Sequence, residues 1–144
     1  MNLEIDDKKI DDPAEISANV DKLLTITQKF LDSIIEHIDM LPMTFRCICK
    51  YLYTTVHEKF PEQGFFGVAG FMFLRFICPA IVAPEAYGII RDKISSKARR
   101  TLILVSKVLQ NLANGIKFVK EPYMAPTDIF IERVCLPFFL SFFQ

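Results

Sequence analysis

Apolar positions recur at helical spacing from residue 13 onward, and no stretch alternates with the period of a strand over a useful length. Asp12-Pro13-Ala14-Glu15 reads as a helix start, with Asp at the cap, Pro at the first position and Glu at the third. Leu23, Leu24, Ile26, Phe30, Leu31, Ile34, Ile35 and Ile38 then mark an amphipathic helix ending before Pro42. Pro42 opens a second helix, whose buried stripe is expected at Phe45, Ile48, Cys49, Leu52, Val56 and Phe60, with Pro61 and Gly64 at its end. Residues 65–77 are apolar nearly all round, which predicts the central, most buried helix. Pro79 and Pro84 are expected to break the chain beyond that helix. Ser95 or Ser96 starts a long helix through about Phe118, burying Leu102, Val105, Leu109, Leu112 and Ile116. Pro122 and Pro126 mark another connection, and Thr127 or Asp128 caps a last helix of mostly aromatic and aliphatic residues. The fold class is all-α, a helical bundle over residues 13–144. The polar, acidic residues 1–12 are expected to form a mobile arm.

A chain of 144 residues suits one domain. Its 51% hydrophobic content, with 14 Phe and no Trp, is high enough to need a reason. The chain is membrane-embedded, unusually well packed, or part of a larger core. Against the first, Arg75 divides the oiliest region into residues 64–74 and 76–84, each short of the roughly 20 residues a spanning helix needs. A central Arg also costs about 2.5–3.5 kcal/mol on insertion. The run 134–143 is shorter and holds Pro137, and the N-terminus lacks the basic and apolar regions of a signal peptide. No transmembrane segment is expected. Lys+Arg and Asp+Glu are both 17, so a global electrostatic grip on nucleic acid or anionic lipid is not expected either. Cys47, Cys49, Cys78 and Cys135 fit no zinc spacing and are expected as reduced, mostly buried thiols, with no metal site.

Arg75 stands out for chemistry because it interrupts the most apolar segment. A buried, unpaired guanidinium is costly, so it must reach a partner. It is either a structural Arg bonded to carbonyls or a carboxylate, or one that projects to a groove and orders a functional loop. Lys107, Gln110, Asn114 and Lys117 line one helical face opposite the apolar one. That face is either simply solvated or contacts a polar or acidic partner. No GxSxG, HExxH, P-loop or dinucleotide glycine pattern occurs. Gly64, Gly67 and Gly70 fit close helix packing better than phosphate cradling, and His37 and His57 lie far apart without a nucleophile. No self-contained active site is expected.

The string FLRFICPAIVAP, Phe73 to Pro84, resembles the fingerprint of Ras GTPase-activating (RasGAP) domains. ARRTLILVSKVLQNLAN, Ala98 to Asn114, and KEPYM, Lys120 to Met124, look like the family's next two blocks, in order and at suitable spacing. PMTFRCICKYLYTTVHEKFP before them is also similar, and the resemblance runs from about Asp12 to the C-terminus, closest to the prototypical type of the family. Cys78 stands where some members carry Asn and others Cys. The resemblance implies an all-helical domain with a groove for the GTP-loaded form of a Ras-like small GTPase. Such domains insert an arginine finger toward the nucleotide phosphates. In that likeness Arg75 is the second arginine, whose guanidinium holds the finger loop through backbone contacts. Leu74 would sit beside the GTPase's switch region, Lys107, Gln110, Asn114 and Lys120 would line the groove, and Lys107 would pair with Glu121 to fix its shape. The protein would carry no cofactor of its own, since GTP and Mg belong to the partner GTPase. It would be a cytoplasmic regulator of an enzyme, drawn to the inner face of the plasma membrane only through other domains of a parent protein.

The finger itself has no match. Family members carry it upstream on a loop with a pattern like F-R-x-N, and none of Arg46, Arg75, Arg91, Arg99, Arg100 and Arg133 stands in that context. The chain is therefore expected to correspond to the C-terminal part of a RasGAP domain. Missing partner helices would explain the surplus apolar surface. Activity of the chain alone is expected to be weak or absent. The alternative is a non-catalytic, GAP-related module that binds a GTPase as IQGAP-type scaffolds do, and a third is a helical structural or membrane-associated piece with no GTPase partner.

Overall fold

The computed structural model describes residues 3–142, and side chains as far as Cys135. Among the described residues it is helical with no strand. Helix α1 spans Pro13–Glu36 and starts where the capping pattern places it: the Asp12 carboxylate accepts the Ala14 N–H at 2.9 Å, and Pro13 fills the first turn. A 3-10 turn at Ile38–Met40 leads to Pro42 and helix α2, Met43–Lys59. Arg46 folds back over this corner and donates to the carbonyls of Leu41, at 3.0 Å, and Asp39.

The apolar region forms one continuous rod. Helix α3, Gly64–Met72, passes through a π turn at Phe73–Ile77 into helix α4, Cys78–Val82. The π turn has a local cause. Pro79 has no N–H to give the Arg75 carbonyl four residues back, and its ring would collide with that carbonyl in an α-helix. Widening the turn, so that the Cys78 N–H bonds the Phe73 carbonyl five residues back, relieves the conflict. Pro79 therefore does not break the rod, and Arg75 does not divide it. With its leading 3-10 turn it spans Pro61–Val82, 22 residues long and apolar enough by length and composition to cross a membrane. Its inner side nevertheless packs into the core through Val68, Ala69, Met72, Phe73 and Cys78.

Helix α5, Ser96–Asn114, is the centre of the molecule. The Ser95 hydroxyl accepts the Ala98 N–H at 3.2 Å, and Leu104, Val105, Val108, Leu109 and Leu112 are fully buried. It stops earlier than its apolar pattern suggests. Gly115 turns left-handed at φ +63°, its N–H bonds the Leu112 carbonyl at 3.1 Å, and the Ile116 N–H bonds the Asn111 carbonyl at 3.0 Å. Ile116, expected inside, is 52% exposed, and Leu102 is only half-buried. A 3-10 turn, Pro122–Thr127, leads to helix α6, Asp128–Phe142. Thr127 donates to the Met124 carbonyl at 2.7 Å, and the Asp128 carboxylate accepts the Phe118 N–H at 3.0 Å, which ties down the α5–α6 loop. Phe143 and Gln144 lie outside the described residues, as do Met1 and Asn2.

Two further expectations need correction. Residues 3–5 are not a mobile arm. Leu3 and Ile5 are 1% exposed, and between them Glu4 accepts from Arg100 Nε at 2.9 Å and Nη2 at 2.8 Å, while its carbonyl accepts from Asn19 at 2.9 Å. The segment is anchored because its one inward carboxylate meets a guanidinium and its two neighbours are aliphatic. Nor is the α2 stripe buried. Phe45, Cys49, Leu52 and Val56 are only half-buried, while Ile48 and Phe60 are exposed, with Met43 and Tyr51 on the outer side. The helix packs mainly on α3, closely enough that a Cβ on Gly64 would sit 2.8 Å from the Tyr53 ring and one on Gly67 3.2 Å from Val56. Its apolar residues cover more than one face, so a single neighbour cannot bury them.

Candidate functional site

Helix α5 and the α3–α4 rod run side by side and are stitched at two levels. At one, the Ser106 hydroxyl donates to the Cys78 carbonyl at 3.4 Å, and the Cys78 thiol donates to the Ser106 carbonyl at 3.7 Å. Burial pushes that thiol up to about 12, against opposing hydrogen bonds from Gln110 and Ser106. At the other, the Asn114 side chain approaches Gly70, its oxygen 3.4 Å from where a Cβ would be, an ordinary van der Waals distance. The π turn falls between Gly70 and Cys78 and therefore between Asn114 and Ser106 along α5. Leu74 and Arg75 stand on this turn, and both are exposed. Phe76, beside them, packs edge-on against Phe45 and Phe71, with ring centroids 5.1 and 5.3 Å apart.

Of the two readings of Arg75, a buried structural guanidinium and one that projects outward, the structure agrees with the second as far as exposure goes. Phe73 at the start of the turn faces the core, whereas Arg75 is exposed along with Leu74 and Phe76, and makes no hydrogen bond or ion pair with another described residue. It needs no internal partner because it remains in water. Arg91 is exposed as well, but the remaining arginines are engaged. Arg46 caps the α1–α2 corner, Arg99 bonds Glu85 and the Val82 carbonyl, Arg100 bonds Glu4, and Arg133 lies 6.0 Å from the Phe130 ring.

Lys107 stands one and two turns before Gln110 and Asn114 on the same face. Gly115 reverses the chain so that residues 116–127 return along α5, held by buried Met124 and Thr127. This delivers Glu121 and Tyr123 to Lys107. The ammonium pairs with Glu121 and donates to the Tyr123 hydroxyl at 2.9 Å, and that hydroxyl donates to the same Glu121 oxygen at 3.0 Å. Burial works to lower the Lys107 pKa, but the bonds to Glu121 and Tyr123 outweigh it and raise it, and Lys107 in turn lowers Glu121. Lys120 is exposed at the rim of an open hollow of 540 Å³, lined also by Asn111, Ile116, Val119 and Glu121. Lys117 leaves the α5 face, since the helix has ended, and pairs with Glu132 instead.

Leu74, Arg75, Gln110, Asn114, Lys107 and Glu121 therefore follow one seam, with Lys120 on the adjoining loop. Two participants were missed from the sequence. Arg100 lies two turns before Lys107 on the same α5 face, a spacing that was readable, and its guanidinium lies 5.9 Å from the Tyr123 ring. Tyr123 sits inside the KEPYM block but carries no signal of its own. The seam offers cations, amides, one carboxylate and an exposed leucine. It has no nucleophile beside a base: His37 and His57 bond the carbonyls of Ser33 and Pro61 within their own helix ends. Among the described residues no three His, Cys, Asp or Glu side chains group as metal ligands. The arrangement suits recognition of another surface.

A family model for GTPase-activator proteins for Ras-like GTPases matches residues 2–114. Ras GTPase-activating protein 1 of Homo sapiens is 40% identical over 136 residues, covering 92% of this chain and 13% of that protein. Ras GTPase-activating-like protein IQGAP2 of Homo sapiens is 38% identical over 115 residues, 74% of this chain and 7% of its own length. Inhibitory regulator protein IRA2 of Saccharomyces cerevisiae is 34% identical over 131 residues, 90% of this chain and 4% of its own length. The chain spans only a small fraction of each of these relatives.

Proposed function

The chain belongs to the family of GTPase activators for Ras-like GTPases, and on that premise we propose that its α5 seam binds the GTP-loaded form of such a GTPase. The observation that carries this reading is the single seam formed by Leu74 and Arg75 on the π turn, Gln110 and Asn114 on α5, and the Lys107–Glu121 pair. Leu74 supplies an apolar contact to the partner's switch region. Lys107 and Lys120 supply positive charge, and the Lys107–Glu121 pair keeps the groove open at a fixed width. Arg75 is a positioning residue: exposed and uncommitted, its guanidinium is available to hold a neighbouring loop by its carbonyls. We assign the finger to none of this chain's arginines: Arg46, Arg99 and Arg100 are spent on contacts within the fold, Arg133 lies against the Phe130 ring, and exposed Arg91 lacks the F-R-x-N context. Nucleotide and Mg are the partner's. The chain regulates an enzyme, and it works by binding, with weak or no acceleration of hydrolysis alone.

Single-turnover GTP hydrolysis by a Ras-type GTPase, with and without excess chain, tests the catalytic part. The expected result is an unchanged rate. Marked acceleration would mean that an arginine of this chain reaches the phosphates, and the assignment of Arg75 as a positioning residue alone would fall.

A further inference from the structure

We propose that Tyr123 is a positioning residue of this seam, fixing the Lys107 ammonium and the Glu121 carboxylate in the geometry that a GTPase would meet. The inference deepens the binding reading above and rests on it. An ion pair between two flexible side chains at a part-exposed site has many arrangements, and alone it would hold neither charge in place. Here a third group removes that freedom. The Tyr123 hydroxyl accepts from Lys107 Nζ at 2.9 Å and donates to the Glu121 oxygen that Lys107 also contacts, at 3.0 Å, so three polar atoms close a triangle. The closure uses one carboxylate oxygen and leaves the second for a partner. It also leaves Lys107 with an unused proton.

Tyr123 can impose this geometry because it is itself held. Its backbone belongs to the 3-10 turn whose next residue, Met124, is fully buried. Its ring lies within reach of two cations two α5 turns apart, 5.9 Å from the Arg100 guanidinium and 5.5 Å from Lys107 Nζ. Arg100 in turn is fixed by two hydrogen bonds to Glu4, which is buried between Leu3 and Ile5. A run of contacts therefore leads from the N-terminal segment through Arg100 and Tyr123 to the Lys107–Glu121 pair. Rigid placement of charge before binding is the part of affinity that a flexible pair forfeits.

Tyr123→Phe removes one hydroxyl and keeps the ring, so it separates positioning from packing. Two readouts are needed. The first is the acylation rate of Lys107 by an amine-reactive reagent, followed by peptide mass spectrometry on the full chain. It needs no partner. With the hydroxyl gone the ammonium loses an acceptor, and Lys107 is expected to react about three- to tenfold faster. The second is titration against a Ras-type GTPase loaded with a non-hydrolysable GTP analogue, where the variant is expected to bind about three- to tenfold more weakly at unchanged melting temperature. Equal Lys107 reactivity in wild type and variant would overturn the proposal, whatever the binding result. So would equal affinity of both for the GTPase. Faster acylation with no binding by wild type would support the triangle and reject the GTPase reading, so the two failures are distinguishable.

Discussion

Replacing Glu4 by Gln tests whether the N-terminal segment is a working part of the fold. The Glu4 carboxyl is lowered from 4.5 to about 2, first by its hydrogen bonds from Arg100, against a burial effect that raises it, with help from the Asp6 N–H and Lys9. Such a shift sets a ceiling of about 3 kcal/mol on the stability that its charge contributes. The Arg100 side chain is still 24% exposed, so solvent screens the pair, and about 1–2 kcal/mol is the expected share. A depressed pKa fixes the sign. The contribution is present in full above the unfolded value of 4.5 and is lost as pH falls from there toward 2. Urea unfolding followed by circular dichroism at pH 7 should show Glu4→Gln less stable by about 1–2 kcal/mol, with an unchanged slope. Repeating the titration at stepped pH below 5 should bring wild type down toward the variant, while the variant loses less. Equal stability at pH 7, or parallel acid curves, would refute the clamp and restore residues 3–9 to a loosely held arm.

Arg75→Ala should leave stability within about 0.5 kcal/mol, because the side chain is exposed without a partner, yet it should reduce GTPase activation once the residue is carried in a complete activator; thermal unfolding and single-turnover rates read the two effects separately. Lys107→Glu should weaken GTPase binding at least tenfold, on the order of 1.4 kcal/mol, because it reverses the groove charge and opposes Glu121; calorimetric titration checks it, and equal affinity counts against the seam. Gly115→Ala should cost more than about 1 kcal/mol in chemical unfolding, since φ +63° disfavours a side chain and the new Cβ would collide with the Phe66 ring.

The hydrophobic period and the capping residues made most of the fold legible. Asp12, Ser95 and the spacing of Val105, Leu109 and Leu112 each lead to the element that is there. The failures have physical causes. Pro79 reads as a breaker, but a π turn absorbs it at the cost of one widened turn, and no local pattern announces that. Leu3 and Ile5 form too short an alternation to register as core, and the partner of Glu4 lies 96 residues away. The apolar stripe of α2 was legible as a stripe, but burial depends on what stands opposite, and α2 meets chiefly α3 and the π turn. The FLRFICPAIVAP string singles out Leu74 and Arg75, which the structure shows exposed on the π turn, and the α5 spacing puts Lys107, Gln110 and Asn114 on one helical face. Periodicity alone would have continued α5 through Lys117 and missed the Gly115 reversal that brings Tyr123 to Lys107.

The central claim is that this seam reads the nucleotide state of a Ras-like GTPase. The most direct measurement is equilibrium titration of the chain against one such GTPase, loaded either with GDP or with a non-hydrolysable GTP analogue, at physiological salt. The account predicts binding to the GTP-analogue form at least tenfold tighter than to the GDP form, a difference of about 1.4 kcal/mol or more. Equal affinity for the two forms, or none for either, would contradict it.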